Sequence, residues 1–344
     1  MSAENPPRDR SEMKPQTRSE SRPEGRPEGR KDQKSPQILI EDELTGLPYS
    51  KGLQASEVMV TGLAPYRAYQ VAEAIEERLI ERATPSISSR ELAELTLTVI
   101  EELAGERYAE NYRRWRQVEG LEVPIVVMIG GTTGVGKSTI ATQLATRLGI
   151  VRVVATDAIR EVMRALFSRE LMPALHTSSF DAGSVLREPP TRDAVIVGFR
   201  EQTAAVAVGV HALLDRAAME GTSLIIEGAH IVPGFLDPAA WEDRVLAVPV
   251  ILTVEEEDVH RRHFSVRASD HAGRPASHYL DSFDNIRRVQ RYIKSQALSH
   301  GVPVVPNYNF DRSLSSVIDL VMERATERTG DATRVGLATE GGSS

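Results

Sequence analysis

The sequence predicts an α/β protein: a parallel sheet with helices on both faces, preceded by a small, mostly helical domain. From Val123 onward, short apolar runs alternate with segments of helical period, which is the pattern of a parallel sheet covered on both sides. The first of these runs leads through glycines directly into a helix. Before residue 120, apolar residues recur mainly at helical spacing. We therefore expect two ordered parts with different secondary structure.

The composition indicates a chain with a packed core. It has 344 residues, 41% of them hydrophobic and none of them cysteine, so we expect about two domains and no disulfide or thiolate chemistry. No apolar run approaches the roughly 20 residues that span a bilayer, and the charged N-terminus does not resemble a signal peptide. We expect a cytoplasmic protein without a membrane partner. The net charge of −8 argues against a nucleic-acid partner.

The N-terminal part is predicted to contain a tail and a helical domain. Residues 1–36 are rich in Pro, Glu, Arg, Ser and Gly, a composition that predicts disorder. Residues 37–120 form the predicted domain. Its elements are a strand at Gln37–Ile40, a helix over Tyr66–Glu81, a helix that Ser88 and Glu91 open as a capping box, and a helix around Tyr108–Trp115.

A phosphate-binding loop is predicted between the first strand and helix of the α/β part. Gly131–Ser138 matches the pattern G-x-x-x-x-G-K-[ST] in the required strand–loop–helix context. Glycines let backbone N–H groups approach phosphate oxygens, Lys137 adds a cation, and the Ser138 hydroxyl can ligate Mg²⁺. The predicted nucleotide ligands are Gly131, Thr132, Thr133, Gly134, Val135, Gly136, Lys137, Ser138 and Thr139. We therefore expect ATP and Mg²⁺ as cofactors.

The α/β domain is predicted over residues 121–328, and a second disordered tail over 329–344. The elements after the loop follow in alternation. They are the strand Ile150–Ala155, the helix Ala158–Phe167, an irregular stretch Leu171–Thr191, the helix Asp193–Glu220, the strands Ser223–Ile226 and Arg244–Val254, a basic stretch over 258–273, the helix Asp281–Ser299, the strand Pro303–Pro306 and the helix Leu314–Arg328.

Two carboxylates are predicted at the carboxyl ends of strands, where open α/β sheets bind their ligands. Asp157 could orient or deprotonate an acceptor hydroxyl, as carboxylates do in phosphoryl transfer; alternatively, it caps a helix that starts at Ala158. Glu227 follows an apolar strand, the usual place for an acidic residue that holds Mg²⁺. For Glu227 the alternative is a solvated strand end.

Basic residues near these carboxylates are candidates for binding an anionic substrate. Arg160 lies one helical turn from Arg164, and Arg160 is the better placed to face the cleft. The basic cluster His260–Arg267 lies where a lid would cover the phosphates, and we expect Arg261 or Arg262 to neutralise charge on the transferring group. Arg267 belongs to the same cluster. A solvated helix face is the alternative reading of the whole cluster.

Taken together, these residues favour a kinase over a GTPase, because the chain has no Asn/Thr-Lys-x-Asp segment that would read guanine. Four stretches resemble the 2-phosphoglycerate kinase family of P-loop kinases. They are Lys137–Ile140, Thr156–Glu161, Leu175–Ser179, and Ile225–Gly228 followed by His230 and Val232–Gly234. The resemblance spans about residues 38–328 and implies substrate-binding roles for His176, Ser178, Ser179 and His230.

The same resemblance implies a reaction and an N-terminal ATP-cone-like domain. The reaction is ATP plus 2-phosphoglycerate giving ADP plus 2,3-bisphosphoglycerate; the alternatives are another phosphorylated or carboxylated small metabolite, or an ATP-sensing module. Residues 47–52 and 108–116 resemble the ATP-cone. The acidic stretch Ile40–Gly46 departs from that family and favours a cap that packs or dimerises over one that binds nucleotide. A homo-oligomer is left open.

Overall fold

The structure, a computed structural model, describes residues 38–41, 46–82, 85–118, 121, 123–187, 192–270 and 276–340. The predicted tail at 1–36 lies outside the described residues, as do residues 341–344 of the second predicted tail. Among the described residues, no helix combines the length and the apolar content that crossing a membrane requires.

Within its described residues, the N-terminal part contains three short strands and four helices. The strands are β1 (Leu39–Glu41), β2 (Gly46–Pro48) and β3 (Ser86–Ser88), in the order β2-β1-β3. The helices are α1 (Lys51–Met59), α2 (Pro65–Glu81), α3 (Ser89–Ala104) and α4 (Glu106–Val118). The predicted capping box is present, with Ser88 and Glu91 each bonded to the other's backbone N–H. The sequence analysis missed α1, which Ser50 caps by accepting from Leu53 N.

The α/β part is built on a five-stranded parallel sheet, as predicted. Its strands are β4 (Ile125–Gly130), β5 (Val153–Ala155), β6 (Leu224–Gly228), β7 (Leu246–Thr253) and β8 (Val304–Pro306), and their order is β5-β6-β4-β7-β8. The register sets Glu227 opposite Ile129 on one side and Ala155 on the other. The carboxyl ends of three strands therefore meet where the sequence predicts the site.

Seven helices accompany the sheet within the described residues. They are α5 (Lys137–Leu148), α6 (Thr156–Leu166), α7 (Ala194–Glu220), α8 (Glu257–Asp270), α9 (Ala276–Asp281), α10 (Phe283–Ser299) and α11 (Phe310–Glu340). Apolar residues of α5 and α11 pack on one face of the sheet, and those of α7 and α10 pack on the other. Helices on both faces confirm the predicted fold class. Val60 and Val118 of the N-terminal part join the core formed with α5 and α11.

Four helices of the α/β part differ from the sequence prediction. Helix α6 begins at Thr156, two residues earlier than predicted. The basic stretch is a helix, α8, and the short helix α9 follows it. Helix α11 continues to Glu340 rather than ending near Arg328, because Ala, Arg and Leu after Arg328 are compatible with a helix despite the Gly and Thr among them. Over its described residues, 171–187, the predicted irregular stretch contains only short 3₁₀ turns, at Pro173–His176 and Ala182–Val185.

Candidate active site

The predicted phosphate loop connects β4 to α5 and has the backbone that its glycines favour. Gly131, Gly134 and Gly136 have φ angles of 139°, 85° and 87°, values that residues with a Cβ rarely adopt. Helix α5 starts at Lys137, and no side chain of the described residues caps it. A helix start of this kind suits an anion. The Lys137 ammonium group donates to the Thr132 carbonyl at 2.8 Å, so it lies at the loop itself.

Three side chains that the sequence analysis missed hold the loop from its outer side by donating to consecutive carbonyl oxygens. The bonds are His260 Nε2 to Thr133 O (2.8 Å), His263 Nδ1 to Gly134 O (2.8 Å) and Asn307 Nδ2 to Val135 O (2.9 Å). Because the carbonyls point outward to these donors, the loop N–H groups can turn toward the opposite side. The sequence analysis placed the His260–Arg267 cluster over the phosphates but assigned the contact to its arginines rather than its histidines, and no local sequence pattern links Asn307, which follows β8, to this loop.

His260 is a buried, neutral member of this set. Burial lowers its pKa to about 4, despite the hydrogen bond to the loop carbonyl. Its Nε2 carries the proton given to Thr133, and its Nδ1 faces Arg287 Nη1 at 3.4 Å. The ring of Phe264 packs beside it, so close to Gly134 that a Cβ there would lie 2.5 Å from the ring. This contact, as well as the φ angle, requires glycine at position 134.

Ser138 and Glu227 meet at the mouth of the site. The Ser138 hydroxyl donates to Glu227 Oε1 at 2.8 Å, and Glu227 is only 7% exposed. A hydroxyl and a carboxylate are the hard oxygen donors that Mg²⁺ prefers, and such sites often use one or two protein ligands beside the phosphates. The described residues contain no cluster of three or more His, Cys, Asp or Glu side chains that could form a metal cage. The pair fits a nucleotide-bound Mg²⁺.

Asp157 is open to a ligand rather than engaged in capping. The N-cap of α6 is Ala155, and Asp157 lies in the first turn, so the alternative reading of Asp157 as an N-cap is wrong. Its side chain is 76% exposed and contacts Arg160 Nε at 3.3 Å. Partial desolvation works to raise the pKa of Asp157, but His230, Arg160 and Lys137 outweigh it and hold the pKa below its usual value. The carboxylate is therefore ionised and accessible.

Arg160 is buried, and its guanidinium group holds the loop that follows α6. It is 5% exposed, and Nη1 donates to the carbonyls of Leu175 (3.0 Å) and Thr177 (3.1 Å). Anion binding by Arg160 stays a prediction, since most of its donors already face protein oxygens. Its observed contacts give it a role in fixing the loop. Arg164 is more exposed and pairs with Glu161 at 2.7 Å, as the surface reading expects.

Arg160 connects Asp157 to the loop that carries three of the predicted substrate residues, but His230 is not an open ligand. His176 Nε2 bonds to the Phe167 carbonyl at 3.0 Å, and Ser178 and Ser179 are partly exposed. His230 is fully buried, and both ring nitrogens contact protein atoms. Direct substrate contact by His230 therefore requires correction, because no part of the ring reaches the surface. Its neighbour Gln202, which the sequence analysis missed, is equally buried.

The arginines of the predicted lid lie on α8, but that helix presents other residues to the loop. His260 and His263 face the phosphate loop, whereas Arg261 and Arg262 are exposed. The Arg261 guanidinium lies 3.9 Å from the centre of the Phe283 ring, a cation–π contact. For Arg267 only the backbone position within α8 is described. Charge neutralisation by Arg261 or Arg262 stays a prediction.

Comparisons with known proteins give consistent relatives. The chain is 37% identical over 296 residues to a 2-phosphoglycerate kinase of Methanopyrus kandleri, covering 85% of this chain and 89% of the relative. It is 40% identical over 290 residues to that of Methanothermobacter thermautotrophicus, covering 82% and 94%. No family model matches the chain. Among solved structures, a gluconokinase from Sinorhizobium meliloti aligns with a TM-score of 0.35 at 13% identity, covering 62% of this chain and 98% of that one.

Proposed function

Because this chain belongs to the 2-phosphoglycerate kinase family, we propose that it transfers the γ-phosphoryl group of ATP to the free hydroxyl of 2-phosphoglycerate. The hydroxyl oxygen forms a bond to the γ-phosphorus, and the bond from that phosphorus to the β–γ bridging oxygen breaks. ADP leaves, the hydroxyl proton passes to a base, and the product is 2,3-bisphosphoglycerate. The atoms of the two substrates account for both products.

The phosphate loop and the Ser138–Glu227 pair would bind the nucleotide. Loop N–H groups and the start of α5 would bind the phosphates, and the Lys137 ammonium group would stabilise negative charge on the outer phosphate oxygens. Ser138 Oγ and Glu227 Oε1, 2.8 Å apart, would hold Mg²⁺ directly or through water. When bound, the cation neutralises charge that develops on the transferring group.

Asp157 would accept the proton of the acceptor hydroxyl. It is ionised and exposed, and it lies at the carboxyl end of β5, next to the strand that carries Glu227. A carboxylate in this position orients the hydroxyl toward the phosphorus and removes its proton as the bond forms. One combination supports the proposal most directly. The hydrogen-bonded pair Ser138 and Glu227 lies at the end of β6, and the exposed carboxylate of Asp157 lies at the end of the neighbouring strand β5.

The test is a transfer assay across acids that differ in one group at a time. ATP is mixed with 2-phosphoglycerate, 3-phosphoglycerate, glycerate and 2-phosphoglycolate, which lacks the hydroxyl, and products are followed by ³¹P NMR. We expect 2,3-bisphosphoglycerate from 2-phosphoglycerate and no transfer to 2-phosphoglycolate. Transfer to another acid in preference would identify a different acceptor, and transfer to water alone would support the ATP-sensing alternative. The Lys137→Ala variant controls for contaminating kinases.

A further inference from the structure

A chain of buried polar side chains runs behind the candidate site. Gln202, in the middle of α7, donates through Nε2 to the carbonyls of Ala174 and Thr177, the second at 3.2 Å. Carbonyl oxygens only accept, so the amide nitrogen of Gln202 faces them and its Oε1 faces His230 Nε2 at 2.9 Å. His230 Nε2 therefore carries the proton.

The same reasoning extends the chain to the helix that carries Asp157. With its proton on Nε2, His230 accepts at Nδ1, so the Thr156 hydroxyl donates to it at 2.9 Å. Burial lowers the pKa of His230 to about 4, so the ring is neutral and this single pattern holds at neutral pH. Thr156, Gln202 and His230 are each 0% exposed. Each polar side-chain atom of Thr156, His230 and Gln202 has a hydrogen-bond partner, as buried polar groups require.

At its other end, the chain of buried side chains contacts the loop Leu175–Ser179, which is predicted to bind the acceptor. The Thr177 carbonyl accepts from both Gln202 and Arg160, at 3.2 and 3.1 Å. Within the loop, the Thr177 N–H reaches the Ala174 carbonyl only at 3.4 Å. Side-chain donors from α6 and α7 thus fix a segment that has little regular backbone bonding of its own. Arg160 also donates to Asp157. Gln202 is connected through His230 to Thr156, the residue that precedes Asp157. Both side chains that hold the loop are therefore connected to Asp157 or its neighbour.

We propose that Gln202 is a positioning residue that fixes the acceptor loop, with His176, Ser178 and Ser179, relative to Asp157. The inference rests on the proposed function, since it assigns the loop to the acceptor. Gln202 is buried and touches neither the phosphate loop nor an open surface, so its effect passes through Thr177 and His230. It should act on the acceptor and leave ATP binding unchanged, a selectivity that a general packing role would not produce.

Two substitutions test this role. Gln202→Glu replaces the donor by a carboxylate that faces two carbonyls, and Gln202→Met removes both polar atoms at similar length. Thr203→Val is the matched control: Thr203 is equally buried on α7, but its hydroxyl bonds only within the helix, to Phe199 O at 2.8 Å. We expect kcat/KM for 2-phosphoglycerate to fall roughly 10²-fold in both Gln202 variants, the scale of an ångström-sized misplacement. The Kd for ATP should stay within about twofold in all three variants, because none of them touches the phosphate loop.

A second readout does not depend on turnover. Hydrogen exchange of the Leu175 and Thr177 amides should accelerate in the Gln202 variants and not in Thr203→Val. In Gln202→Glu, NMR should show the His230 pKa raised by about 1–3 units, because a carboxylate then faces Nε2. If Gln202→Glu does not fold, Gln202→Met decides the question.

The outcomes separate this inference from the proposed function. If the wild-type protein phosphorylates no acid, the proposed function fails, and the exchange rates still report whether Gln202 fixes the loop. If the wild-type protein phosphorylates 2-phosphoglycerate and folded Gln202 variants match it, the positioning role is overturned. Equal losses in acceptor use and ATP binding would also overturn it, because they indicate a general loss of structure.

Discussion

Replacing Asp157 by asparagine tests its proposed role as the general base, and we expect the replacement to change the stability of the protein little. The side chain is 76% exposed and is not the N-cap of α6. The variant loses mainly the contact to Arg160, and an ion pair with one exposed partner is worth about 0–1 kcal/mol. Arg160 keeps its bonds to the Leu175 and Thr177 carbonyls. We therefore expect the free energy of unfolding to change by less than about 1 kcal/mol.

The expected loss of rate is far larger. An amide cannot accept the hydroxyl proton, and general base catalysis contributes roughly 10²–10⁴-fold. This corresponds to about 3–5 kcal/mol in the activation free energy. ATP binding should be little changed, since our proposal assigns Asp157 to the acceptor rather than to the nucleotide. Transfer from ATP to 2-phosphoglycerate, urea unfolding and ATP titration measure the three quantities on one preparation.

Glu161→Gln is the control for this experiment. Glu161 also bonds to Arg160, at 3.1 Å, and is also exposed, so its substitution removes the same charge from the same arginine. We expect near-normal turnover in Glu161→Gln. Full turnover in a folded Asp157→Asn protein would refute the assignment of the base. Equal losses in the two variants would show that charge near Arg160 matters rather than the carboxylate of Asp157.

Three further predictions follow from other parts of the site. Lys137→Ala should lower turnover by about 10²-fold or more with the fold intact, as removal of one electrostatic contact does; normal turnover in the folded variant would show that the loop is not used. His230 and His260 have pKa values lowered from 6.5 to about 4, so the unfolded chain binds more protons between these values. The free energy of unfolding should fall as the pH falls from 6.5 to about 4, by roughly 3 kcal/mol per histidine at most. Urea unfolding at pH 7 and pH 5 should show a smaller loss of this free energy in His230→Gln than in the wild-type protein. An equal loss would mean that His230 does not titrate this way. The double variant Arg261→Ala, Arg262→Ala should slow transfer and raise the ratio of hydrolysis to transfer, because a closed lid excludes water; wild-type transfer would make these arginines a solvated face.

The sequence could predict the parts of the site that are local in the chain. The phosphate loop is a run of adjacent residues, and the strand that precedes Glu227 is a continuous apolar segment, so both follow from neighbouring residues. Parallel strands then bring their ends together without further information. The position of Asp157 in the first turn of α6 could not be predicted, because helix starts are uncertain by a residue or two.

The predicted lid shows that helix geometry decides which residues of a basic cluster contact a neighbouring element. His260–Arg267 is the densest basic cluster of the chain, and it does form a helix beside the phosphate loop. A helix presents only residues three or four apart to one neighbour. Here those residues are His260, His263 and Phe264, and the buried His260 is neutral. Arg261 and Arg262 are exposed, so the observed contact of this helix with the loop is made by histidine donors and an aromatic ring.

The close approach of the ends of β5 and β6 explains how Glu227, His230 and Asp157 are placed relative to one another. A Cβ on Gly228 would lie 1.7 Å from Thr156 Oγ1, so any other residue at position 228 would push the start of α6 away from β6. That contact lets His230, two residues beyond Gly228, accept the Thr156 hydroxyl. Glycine is required after Glu227 because it allows the strand end that carries Glu227 to touch the helix that carries Asp157. This packing fixes the backbone positions from which the Glu227 and Asp157 side chains extend, and fixed positions of this kind suit the proposed transfer between two bound substrates.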